Sequence, residues 1–164
     1  MPPPSRVIIF LDIDGVLLPF GCTGNQGRLF PEATLQALAY ILARVPEAQL
    51  VLSSTWRVQE TFIQSIVQDF RAFGGALSDV DFHDITNPAL HSERQHEIYD
   101  YLARHGHEVL AWVALDDEEL VRGPVNAKHS RIFEYHCVRT DSHEGMTMED
   151  AQHAVLILRN QLGR

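Results

Sequence analysis

Val7-Ile8-Ile9-Phe10-Leu11-Asp12-Ile13-Asp14-Gly15-Val16-Leu17 is an apolar run that stops at two carboxylates one residue apart, with a glycine directly after them. A short continuous segment rich in β-branched residues reads as a central strand covered on both faces. In open α/β sheets, ligands bind just beyond the carboxyl ends of such strands, and Asp12 and Asp14 stand at that end. Two acids so close repel each other unless a cation lies between them or one keeps its proton. The plainer alternative is a strand that ends in an Asp-Gly turn.

Working outward, the same device recurs. Gln49-Leu50-Val51-Leu52 is a second buried strand that runs into Ser53-Ser54-Thr55-Trp56-Arg57, and Val109 to Leu115 is another that ends in Asp116-Asp117-Glu118-Glu119. Between them lie helical patterns. One runs from Glu32 to about Val45 with Leu35, Leu38, Ile41 and Leu42 on one stripe, one from Thr61 to Phe73, and one from Ser92 to His105. A weak third strand is expected around Leu77 to Phe82, and a last strand around Phe133 to Val138, ending at Arg139-Thr140-Asp141. Met148 to Leu162 should close the chain as a helix, opened by a capping box at Thr147 and Asp150. Strands that alternate with helices imply a parallel sheet with right-handed crossovers, in a three-layer Rossmann-like α/β domain spanning residues 1–164 behind a short tail at 1–5. The acidic and hydroxyl clusters after Leu11, Leu52 and Leu115 must then meet on one edge of the sheet.

Composition narrows the partners. The chain has 164 residues, 45% hydrophobic, with a formal net charge of −9, so its surface does not attract nucleic acid by bulk electrostatics. A polyanionic substrate needs a local basic pocket, so nucleic acid is expected only as a bound end. Lys128 is the sole lysine, and the remaining positive charge is arginine, suited to bidentate phosphate contacts. Cys22 and Cys137 are too few for a disulfide framework, and no apolar run reaches membrane-spanning length, which together point to a reducing, cytoplasmic setting without a membrane partner. Pro19 to Gly27 reads as a loop over the carboxylates, and His83, His91, His105, His107 and His129 lack paired metal spacing.

With these motifs in this order, the chain resembles the haloacid dehalogenase-like superfamily of phosphohydrolases: strand then Asp12-Ile13-Asp14-Gly15, strand then Ser53, a cation opening a later helix, and strand then Asp116-Asp117. The Leu52-Ser53-Ser54-Thr55-Trp56-Arg57 stretch and a Thr140-Asp141…Gly145-Met146-Thr147 segment are also similar to the small phosphatase-type domain of bacterial and phage RNA repair proteins. The resemblance implies a phosphatase that uses Mg²⁺ and an aspartyl-phosphate. Asp12 would be the nucleophile and Asp14 the general acid and base. The metal ligands would be Asp12, the Asp14 carbonyl and Asp116, with Asp117 either a ligand or a partner for metal-bound water. Ser53 would hydrogen-bond the phosphoryl group, Ser54 if the strand ran one residue longer. Arg94 stands where the superfamily places its cation. Arg57 competes with it as a contact to substrate phosphate, or else is a solvated helix-end arginine. Trp56 is a packing residue or a base-stacking platform, and Thr140-Asp141 borders the cleft or caps a turn. No stretch is long enough for a cap domain, so the site should be open to a macromolecular phosphate. Rival readings are a phosphate-sensing module without turnover, or transfer to an acceptor other than water.

Overall fold

The computed structural model describes residues 3–22, 27–90, 93–122 and 130–164. Thr23 to Gln26 of the expected loop, together with His91, Ser92, Lys128 and His129, lie outside the described residues. Strands and helices alternate throughout: β1 (Arg6–Leu11), α1 (Glu32–Arg44), β2 (Ala48–Leu52), α2 (Glu60–Phe73), β3 (Phe82–Ile85), α3 (Arg94–His105), β4 (Val109–Asp116), α4 (Ser130–Phe133), β5 (Cys137–Arg139) and α5 (Met148–Leu162). The five strands form one sheet in the order β3-β2-β1-β4-β5, with every pair parallel. The chain winds outward from β1 to β3, then crosses back to place β4 against the other side of β1. That reversal opens a crevice at the carboxyl ends of β1 and β4.

Alternation along the strands explains the apolar runs. Val7, Ile9 and Leu11 of β1 join Leu50, Leu52, Val113 and Leu115 beneath residues of α1, α2 and α5 such as Leu38, Phe70 and Leu158. Ile8, Phe10, Val51, Trp112 and Ala114 face the opposite way, against Ile98 and Tyr101 of α3 and Phe133 of α4. Each central strand is therefore apolar on both faces because helices cover both. The Phe10 ring meets the rings of Tyr101 and Trp112 edge-on at 5.4 and 5.7 Å, which fixes the strand against α3.

The outer strands depart from expectation. β3 lies at Phe82–Ile85, beyond the expected Leu77 to Phe82, because Gly75–Leu77 winds into a 3₁₀ turn after α2. An edge strand with exposed His83 and polar Asp84 carries no continuous apolar signal. β5 is Cys137–Arg139, whereas Phe133 ends α4 and buries its ring on Trp112 instead of opening the strand. The α5 boundaries agree with the pattern, and the capping box forms: Asp150 N donates to Thr147 Oγ1 at 3.1 Å, and Thr147 N donates to Asp150 Oδ2 at 2.9 Å. Cys22 and Cys137 form no disulfide. Among the described residues no helix is long and apolar enough to cross a membrane, and no strand is inserted between β1 and β2 or between β2 and β3.

Candidate active site

Each strand end passes its ladder one residue further. Asp12 N donates to Leu115 O at 3.1 Å, Ser53 N to Leu11 O at 3.0 Å, Thr86 N to Leu52 O at 3.0 Å and Thr140 N to Asp116 O at 3.0 Å. The polar residues that follow the strands are thus held by the sheet itself, in a row along one edge.

Beyond Asp12 the chain folds into a tight loop in which Ile13 O accepts from Val16, Leu17 and Leu18 N, and Gly15 N donates to Leu18 O at 2.8 Å. Gly15 has φ of +81°, and a Cβ there would stand 2.4 Å from Asp117 Oδ2, so both backbone and space demand glycine. Thr140 Oγ1 donates to Gly15 O at 2.7 Å and pins this loop to the end of β5. Thr140 therefore supports the site, whereas Asp141 caps its own turn through His143 N and Glu144 N.

Asp12, Asp116 and Asp117 present carboxylate oxygens that all lie within 4.8 Å of one another. Asp12 and Asp116 are 5% and 1% exposed, and Asp117 is half-buried. From the first turn of α3, Arg94 enters between the two buried acids, its Nη1 3.0 Å from Asp12 Oδ1 and 2.9 Å from Asp116 Oδ2. Glu97, one turn along, takes Arg94 Nε at 3.3 Å and Arg57 Nη2 at 3.1 Å. Burial pushes the Asp12 carboxyl up from its ordinary 3.8 to about 6, against the pull of Arg94. Asp116 is pushed well above its ordinary value, first by burial and then by Asp12. One guanidinium does not compensate these acids. In the cluster as a whole four carboxylates face two guanidinium groups, an excess of negative charge that a divalent cation on three hard oxygen donors would cancel.

Asp14 sits apart from both arginines. It is half-buried, and its Oδ2 accepts a hydrogen bond from Trp56 Nε1 at 3.1 Å. Trp56 lies in the 3₁₀ turn Thr55–Val58 that follows β2, where Ser54 Oγ accepts from Trp56 N at 3.2 Å. β2 ends at Leu52, so the longer strand on which the Ser54 alternative depended is not formed, and the Ser54 oxygen caps the turn. Ser53, at the ladder end, keeps a buried hydroxyl with no partner among the described residues.

Arg57 also needs correction. Its side chain is not solvated, and its guanidinium is taken up by protein groups. At 4% exposure it donates to Ser54 O at 2.9 Å, Leu90 O at 2.9 Å and Asn87 O at 3.4 Å, and pairs with Glu97. It ties the ends of β2 and β3 to α3. Two participants escaped the sequence reading. Glu97 was legible in principle from its i+3 spacing to Arg94, and Trp56 was weighed only for its ring, not for its N–H. His83 and His107 are exposed, His105 lies against the Tyr101 ring, and the cluster of Asp12, Asp116 and Asp117 includes no histidine among the described residues.

A doubly wound parallel sheet with acids after β1 and β4, a hydroxyl after β2 and an arginine from α3 converging on its carboxyl edge defines a haloacid dehalogenase (HAD)-type phosphohydrolase fold. The family described as the HAD domain in Swiss Army Knife RNA repair proteins matches residues 8–151, and the chain belongs to it. No curated protein and no solved structure matches the chain.

Proposed function

We propose that the protein is a Mg²⁺-dependent phosphatase that removes a phosphate monoester from the end of a nucleic acid. The observation that carries this reading is the cluster of Asp12, Asp116 and Asp117, the first two paired with Arg94, with a buried Ser53 hydroxyl that has no partner among the described residues one strand away. Asp12, the Asp14 carbonyl, Asp116 and Asp117 would hold the ion, which supplies positive charge that lets an anionic nucleophile approach an anionic phosphate.

Asp12 attacks phosphorus through a carboxylate oxygen while the ester oxygen departs with its bonding pair, leaving an aspartyl-phosphate. Asp14 gives its proton to that leaving oxygen and takes one back from the water that opens the intermediate. Ser53 donates its hydroxyl to a phosphoryl oxygen, and Arg94 holds Asp12 in place and offsets charge on the transferring group. An end, rather than a length, of nucleic acid suits both the open edge of the sheet and a net charge of −9, which opposes extended contact with a polyanion. The family's RNA repair setting supports the same class of substrate.

The test is a phosphate-release screen of 3′- and 5′-phosphorylated oligonucleotides, nucleotides, sugar phosphates and phosphopeptides, with Mg²⁺ and with excess chelator. Release that needs the ion and favours an oligonucleotide end is expected. Release from no ester, or undiminished release in chelator, overturns the reading.

A further inference from the structure

The Trp56 indole N–H can donate a hydrogen bond but cannot accept one, so it neither carries nor relays the reaction's proton. Its place is nevertheless tightly held. Ser54 Oγ takes its backbone N–H, the Phe62 and Phe30 rings flank its own at 5.5 and 6.4 Å, and the next residue, Arg57, is anchored on three carbonyls and Glu97. Such a donor fixes whatever it binds. What it binds is Asp14 Oδ2, at 3.1 Å, across 42 positions of sequence.

We infer that Trp56 is a positioning residue for Asp14, reserving Oδ2 for the indole so that the exchanged proton sits on Oδ1. The inference rests on the phosphatase reading and deepens it. With Oδ2 engaged, the protonated acid presents Oδ1–H to the departing ester oxygen, which keeps the electron pair of the broken P–O bond and takes the proton. In the second half, the water oxygen bonds to phosphorus, its proton passes to Oδ1, and the pair of the Asp12–phosphorus bond returns to the Asp12 carboxylate. Without the indole, the Asp14 carboxyl is free to turn about its last torsion and present either oxygen, at a cost in alignment. The segment after β2 thus serves both half-reactions: Ser53, just ahead of the turn, would meet the phosphoryl group, and Trp56 inside the turn orients the acid.

Trp56→Phe keeps a ring between Phe30 and Phe62 and deletes the N–H. Against an alkyl phosphate, whose poor leaving group needs protonation, kcat should fall about tenfold with KM within about twofold. Against an aryl phosphate with a good leaving group, the fall should stay under about twofold. In an Asp14→Asn background the same substitution should change neither rate further. Equal losses on both esters, no loss, or the full loss repeated in the Asp14→Asn background would each overturn the inference. Failure of the phosphatase reading looks different: the wild-type chain would release no phosphate that Asp12→Asn removes. A second readout is independent of turnover and of the variant's folding. The chain holds only two tryptophans, Trp56 and Trp112. The Trp56 indole N–H resonance of the otherwise wild-type chain should move markedly on Asp14→Ala while that of Trp112 stays put, and an unmoved Trp56 resonance contradicts the bond.

Discussion

Asp12 and Asp14 are the same residue type two positions apart on one loop, yet the fold puts them in opposite surroundings. Asp12 is buried, bound by Arg94, and pushed up to about 6, by burial first and then by the charge of Asp117. Asp14 is half-exposed, touches no arginine and is steadied by a neutral indole. Strand geometry creates the difference. Asp12 still belongs to the sheet ladder through Leu115, whereas Asp14 lies beyond the turn at Ile13 and swings towards β2. On the proposed reading, environment alone would give two identical acids separate tasks, one binding a cation and attacking phosphorus, the other exchanging protons.

The severest way to break that contrast is Asp12→Asn. The amide fits the same space but cannot attack phosphorus, so turnover should drop by roughly 10⁴-fold or more on every ester while the fold persists. Measured phosphate release above that level would end the division of labour. The next effect separates the two buried arginines. Arg94→Ala should lower kcat by about 10²–10³-fold on small and large esters alike, because it acts at the phosphoryl group itself. Arg57→Ala should instead cost about 3–5 kcal/mol in a denaturant melt, since Glu97 loses a buried partner and three carbonyls lose their donor. A small-ester defect from Arg57→Ala in a protein of unchanged stability would exchange their roles.

The smallest effect concerns the acid cluster without metal. The Asp12 carboxyl binds its proton more tightly in the folded chain than in the unfolded one, so its contribution favours folding below about pH 4 and is lost as pH rises through about 6. Asp116 shifts in the same direction. The melting temperature of the metal-free protein should therefore fall as pH climbs from about 4 to 7, and Mg²⁺ should reverse the fall. Asp12→Asn should make the metal-free protein more stable at neutral pH by about 1–3 kcal/mol. A nucleophile whose removal stabilised nothing would show that Arg94 already compensates it.

How far the sequence alone reaches follows from the same physics. β1, β2 and β4 are legible because both faces are covered and the polar residues begin abruptly where the strands stop. β3 and β5 are legible only as approximate segments, since edge position removes the apolar constraint that would fix their bounds and leaves Asp84 and Arg139 in strands. Asp12, Ser53 and Asp116 reach one edge of the sheet as the strand-end pattern implies, and Arg94, expected there from the resemblance alone, pairs with the two acids. The burial of Arg57 was illegible because its partners are mostly carbonyls of Ser54, Asn87 and Leu90, which every residue possesses. The Trp56 bond was illegible because a tryptophan reads first as a ring, and its N–H acquires meaning only when a distant loop arrives.

The hydroxyl of Thr140 that closes on Gly15 O spans 125 positions, and Met146 N reaches Val16 O at 2.7 Å beside it. Time, as well as space, is set by these bonds. The carboxylate loop is made well before the segment that moulds it, and contacts of such separation carry a large loop-closure cost. A chain stalled after β4 would already own every acid of the cluster and still lack the brace that shapes their loop. The shape of the carboxylate loop therefore reports that β5 has been made and has found its place.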